Sequence, residues 1–127
     1  MQHSTTTIYV CTTCRGVGDA EARPGKELLR ALRENLARRP EESIAVEAVA
    51  CLQVCKRPAT VALAGAGKWT YTLTELDAAR DVDDLLLSAR LHAQAADGVA
   101  TWKDRPVCFR KNVVSRTPPL GFVGRED

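Results

Sequence analysis

Two close cysteine pairs are the residues of this chain best suited to chemistry. Cys11 and Cys14 flank two threonines, and Cys51 and Cys55 flank Leu52-Gln53-Val54. Each pair follows an apolar run with strand composition, Thr5 to Val10 (TTTIYV) and Ile44 to Ala50 (IAVEAVA). Between them, Lys26 to Arg39 reads as an amphipathic helix, with Pro24-Gly25 at its start and Pro40 at its end. Leu28, Leu29, Leu32 and Leu36 share one face. In the second strand Ile44, Val46 and Ala48 share one face, opposite Glu47. The order is strand, helix, strand, whose strands are normally parallel with a right-handed crossover. Both pairs then lie just past strand carboxyl ends, on the sheet edge where open α/β proteins place their ligands.

Facing thiolates select soft metals over hard cations. Four cysteines are the ligand set of a 2Fe-2S cluster and also of structural zinc. The stretch from Cys14 to Cys51 holds a helix and a strand, longer than the roughly 15–20 residues between pairs in a zinc ribbon. A third reading is a thioredoxin-type dithiol at Cys11-Thr12-Thr13-Cys14. Such thiols draw acidity from a helix N-terminus, and the helix starts well downstream, beyond a loop containing Gly16 and Gly18. That reading also leaves Cys51 and Cys55 without a role.

The remaining elements form a frame around this edge. Pro58 leads a third strand, Ala59 to Ala64, and Gly65-Ala66-Gly67 turns it into a return strand, Lys68 to Thr72, giving an antiparallel hairpin. Trp69, Tyr71 and Leu73 alternate onto one face. A second helix starts among Asp81, Asp83 and Asp84, whose charges suit a helix start and need no ion. Its core face is Val82, Leu85, Leu86, Ala89 and Ala93, and Asp97-Gly98 is its expected stop. A short helix to about Lys111 and an extended segment at Val113-Val114 follow. Thr117-Pro118-Pro119-Leu120 is expected to be irregular, and Gly121 to Asp127 a loose tail. The expected organisation is one domain over residues 1–127, with about 99–127 as a C-terminal extension.

A chain of 127 residues can build its own core without staples. The net charge of +2, without a basic block interleaved with aromatics, argues against nucleic acid. No apolar run is long enough for a membrane span, and MQHSTTTIYV lacks the pattern of a signal peptide. The expectation is a cytoplasmic protein, where close cysteine pairs bind metal or do redox work. No Ser-His-Asp or Cys-His spacing suggests a hydrolase, and neither Gly25-Lys26 nor Gly67-Lys68 completes a Walker loop. Cys108 beside Phe109 reads as a buried structural thiol, and His92 and His3 as packing or surface residues. Trp69 and Tyr71 read as sheet packing, with a dimer face as the other reading.

The strand ending in cysteine, the helix 26–39, the CLQVC pair, the proline-led PATVALA, the turn GAGKWTY and the acidic-start helix together resemble the thioredoxin-like 2Fe-2S ferredoxins. VSRTPPLGF is similar to the proline-rich end of some members. More narrowly the chain resembles the predicted metal-binding proteins of domain-of-unknown-function family 1636, often encoded beside cobalamin-biosynthesis genes. The resemblance implies a thioredoxin-like α/β fold, with a β-α-β unit, an antiparallel β-hairpin and a C-terminal helix. It also implies a 2Fe-2S cluster on Cys11, Cys14, Cys51 and Cys55, and homodimer formation. The function expected is non-catalytic one-electron transfer to a redox partner protein. A zinc or other soft-metal accessory protein, linked to cobalamin metabolism, is the alternative. The ferredoxins usually have a longer gap between their first two ligands than Thr12-Thr13 provides. Arg15, Lys56 and Arg57 adjoin the pairs. They read either as solvated loop charges or as cations that offset the formal charge of about −2 on an oxidised four-thiolate cluster and dock an acidic partner.

Overall fold

The computed structural model describes residues 5–13, 15, 16, 18 and 21–126. The β-branched run at the start forms β1 (Thr6–Cys11), and the leucine-faced segment forms α1 (Pro24–Arg38). β2 (Ile44–Val49) pairs parallel with β1, Thr6 opposite Ile44 and Cys11 opposite Val49. β3 (Val61–Ala64) and β4 (Thr70–Leu73) form the antiparallel hairpin. After α2 (Val82–Gln94), a 3₁₀ turn (Trp102–Asp104) and the short α3 (Cys108–Lys111) lead into β5 (Val113–Thr117). The five strands form one mixed sheet in the order β2-β1-β3-β4-β5. None of the described helices is long and apolar enough to cross a membrane.

α1 and α2 pack on β1, β2 and each other, and α3 packs on α2 and β5. The core gathers Ile8, Val10, Leu28, Leu32, Leu63, Tyr71, Leu73, Leu85 and Phe109, all essentially without solvent access. Burying such side chains contributes about 1.5–3 kcal/mol each before the entropy of ordering them is subtracted. A second, polar anchor ties β1 to α2. The ring of the buried His92 lies between Thr6 Oγ1 at 2.6 Å from Nδ1 and the Trp69 carbonyl at 2.6 Å from Nε2. Since a carbonyl only accepts, Nε2 carries the proton and Nδ1 accepts from the Thr6 hydroxyl. Lys68, also buried, donates from Nζ to the carbonyls of Ala93 and Ala95 where α2 ends. Gly98 closes that corner at φ +82°, and a Cβ there would come within 2.8 Å of His92 Nε2.

Several boundaries differ from the sequence expectation for physical reasons. β3 begins at Val61, two residues after the expected start, because Pro58 and Ala59 belong to the turn leaving the cysteine loop. Ala48 is exposed although Ile44 on the same face is buried, since cover over that face does not extend to the end of β2. β5 is longer than Val113-Val114 and takes in Thr117, which pairs with Thr70; Pro118, without an N–H, ends it. Past it, Val123 to Glu126 are exposed and irregular, as expected of a tail, but the chain before them is anchored. Phe122 N–H closes a turn on the Pro119 carbonyl at 3.1 Å, and its ring meets Trp69 edge-on with centroids 5.2 Å apart. His3 and Asp127 lie outside the described residues.

Candidate metal centre

Cys11 closes β1 and is 1% exposed. Its N–H bonds the Thr60 carbonyl at 3.0 Å on the β3 side, while its strand partner on the other side is Val49. The β1–β2 ladder then continues past both strand ends. Thr12 N–H donates to the Val49 carbonyl at 2.9 Å and Thr13 N–H to the Ala50 carbonyl at 3.3 Å. The two threonine hydroxyls donate to the same two carbonyls, Thr12 at 3.3 Å. The residues between the first cysteines are therefore a double clasp onto the strand that delivers Cys51. Two threonines in that place are the signal for it, since each can supply a second donor beside its amide.

The second loop is built differently. Cys51 and Cys55 are exposed free thiols. Gln53 takes a left-handed backbone at φ +62°, which turns its N–H back onto Cys51 Sγ at 3.2 Å. Arg57 N–H bonds the Val54 carbonyl at 3.0 Å, closing a turn around Cys55. The Arg57 guanidinium pairs with Glu75 at 3.1 Å, and Glu75 N–H returns to the Arg57 carbonyl at 3.2 Å. Of the cations expected beside the pairs, Arg57 is thus tied to the far loop, while Lys56 and Arg15 are exposed.

The two loops meet. The Cys55 thiol is pushed above its ordinary pKa first by a hydrogen bond with Cys51, then by the Cys51 charge, by burial and by the Cys11 charge. Cys14 lies outside the described residues. Among the described residues no three His, Cys, Asp or Glu side chains stand close enough to hold a metal ion.

One expectation fails on geometry. The helix start, remote in sequence from the first pair, returns to it in space. Gly25 in the first turn of α1 lies so close to β1 that a Cβ would come 1.7 Å from the Cys11 carbonyl oxygen and 3.5 Å from Thr12 Cα. Distance along the chain is therefore no objection to an influence of the helix on the first pair. The signal was a glycine just after Pro24, a position where alanine is the better helix former.

The other singled-out residues lie apart from these loops. Cys108 is buried, and burial first of all pushes its thiol up to about 11. Asp81 precedes α2, and its carboxylate accepts from the Asp77 N–H at 2.8 Å and from Arg80. Trp69 and Tyr71 pack within the protein, Tyr71 fully buried against Phe109.

A thioredoxin-like [2Fe-2S] ferredoxin from Aquifex aeolicus superposes with a TM-score of 0.61 at 17% identity, over 94% of this chain and 98% of that one. A second structure, of the wild-type thioredoxin-like [2Fe-2S] ferredoxin from Aquifex aeolicus, gives 0.57 at 17% identity, over 87% of this chain and 97% of that one. At that identity the likeness establishes the fold, a thioredoxin-like α/β architecture on a five-stranded mixed sheet. No curated protein matches the sequence. Residues 8–119 match the family described as "Protein of unknown function (DUF1636)", and the chain belongs to that family.

Proposed function

We propose that this protein is a small one-electron carrier, not itself an enzyme, in which Cys11, Cys14, Cys51 and Cys55 hold a 2Fe-2S cluster. The observation that carries this reading is the clasp at the carboxyl edge of β1 and β2. It ties the residues after Cys11 to the Val49 and Ala50 carbonyls, directly before Cys51, and so brings the first cysteine loop alongside the second. The donor set fits the group: soft thiolates on two loops, one of them already accepting an amide N–H from Gln53. Bound there, the cluster would supply a one-electron couple. The chain's own residues hold the edge. Thr12 and Thr13 fix the spacing of the loops, Gln53 orients Cys51, and the Glu75 pair restrains the loop after Cys55. Arg15 and Lys56, exposed beside the thiols, form a basic rim on which an acidic redox protein docks. Reduced thiols suit a cytoplasmic setting.

Protein purified without oxygen should be reddish-brown, carry about two iron and two sulfide per chain and bleach with dithionite. Alanine at Cys51 or Cys55, which offers no ligand atom, should abolish the colour. A colourless protein retaining one zinc per chain from iron-replete cells would defeat this reading. That outcome belongs to the second reading, a soft-metal accessory protein, which the exposure of Cys51 and Cys55 favours because it leaves the metal open to exchange.

A further inference from the structure

The opposite edge of the sheet carries a second constellation. Arg105 follows the 3₁₀ turn, and its guanidinium is surrounded by three rings. Its guanidinium carbon lies 4.6 Å from the centre of Phe109, 5.3 Å from Tyr71 and 5.4 Å from Trp102. It donates to the Ala100 carbonyl from Nε at 3.1 Å and from Nη2 at 3.0 Å, and to the Tyr71 hydroxyl at 3.2 Å. These bonds use Nε and Nη2, and Nη1 has no partner among the described residues. Arg105 thus lines an open cavity of about 440 Å³, together with Arg110 from α3 and Arg116 from β5. Arg116 is itself placed by stacking at 4.5 Å over Trp69. None of the three arginines pairs with a carboxylate among the described residues; the ion pairs there belong to Arg57, Arg80 and Arg90. Trp102 on the rim is 61% exposed.

Three cations line a hollow without a carboxylate partner among the described residues, and two of them are already held by aromatic rings, so little side-chain freedom of those two remains to be lost on binding. The volume lies in the range of small-molecule sites, about 300–1,000 Å³. We infer that this cavity binds a phosphorylated small molecule with a flat ring, of the nucleotide class: the phosphates meet Arg105, Arg110 and Arg116, and the ring lies on Trp102. The guanidinium forks of Arg110 and Arg116 match phosphate oxygens in pairs, Arg105 adds Nη1, and an exposed indole offers a stacking surface for a base. The site is separate from the cysteine edge and stands whichever metal that edge holds.

Calorimetric titration of the full chain with ADP tests it, with pyrophosphate and adenosine as the two half-ligands. ADP should bind at one site per chain, more tightly than pyrophosphate, with adenosine weakest. The paired variant Arg110→Gln/Arg116→Gln, at exposed positions, should weaken ADP at least tenfold, and Trp102→Ala should weaken ADP but leave pyrophosphate unchanged. Arg30→Gln/Arg33→Gln on the outer side of α1 should change neither. Absence of saturable ADP binding, equal loss in the α1 variant, or pyrophosphate binding as tightly as ADP would each overturn the assignment.

Discussion

The two cysteine loops occupy one edge and are made in opposite ways. Cys11 belongs to an inner strand, is shut off from solvent, and has its backbone bonded toward β3 and paired with β2. Cys51 and Cys55 sit on an exposed turn, held by a left-handed residue and by an ion pair to a neighbouring loop. Cys11 is thus placed by the sheet, whereas Cys51 and Cys55 are placed by a local turn. For the proposed cluster, the first would supply fixed geometry and the second an exposed side that a partner can reach.

The contrast breaks most directly at Gly25. Alanine improves intrinsic helix propensity by about 1 kcal/mol at a mid-helix site. Its methyl would fall on the Cys11 carbonyl, which is backbone and cannot swing aside. The clash wins, and Gly25→Ala should destabilise the fold by about 1–3 kcal/mol, read as a lower urea midpoint. An unchanged or raised midpoint would mean that α1 does not rest on Cys11.

Alkylation of metal-free protein sharpens the same comparison. Iodoacetamide, followed by peptide mass mapping, should label Cys51 and Cys55 at least roughly tenfold faster than Cys11 and Cys108, whose burial denies the reagent access. Comparable rates at Cys11 and Cys51 would show that the inner strand opens as readily as the turn.

The smallest effect comes from the far end of β1. Burial holds the His92 pKa below its ordinary value, the Lys68 charge adding to that, against the Trp69 carbonyl bond and Asp97. Above about pH 6.5 His92 is neutral in folded and unfolded chains alike. As pH falls below that, the unfolded chain takes up a proton that the folded one resists, so stability declines until the lowered folded pKa is passed. Urea midpoints should fall between pH 7 and pH 5, and the fall should be shallower in His92→Gln. An equal slope in the variant would remove His92 as its source.

Much of the frame was legible in residue order. The parallel β-α-β unit, the hairpin and the core face of α2 follow from alternation, periodicity and Gly-Pro punctuation, and they take Cys11, Cys51 and Cys55 to one edge. What stayed hidden depends on where the chain returns after a loop. Nothing local in Pro24-Gly25 says that α1 begins against Cys11, and nothing in Arg105 says that three rings from separate segments enclose it. Ala48 alternates correctly yet is exposed, because alternation assigns a face but not whether anything covers it. Thr117 precedes two prolines and reads as irregular, but an edge strand tolerates such an end. Cys14 is readable in sequence only, since it lies outside the described residues.

The register of β1 has a kinetic consequence. Its ladders join Cys11 to Val49 and Val10 to Val61, contacts remote in sequence that pay loop-closure entropy before they are repaid. The two thiol loops therefore become neighbours only once β1 has paired with β2, and an unfolded chain offers each pair separately. The proposed cluster, bridging both loops, would recognise the native state alone and add its binding free energy to stability, so cluster-loaded protein should melt above the cluster-free form.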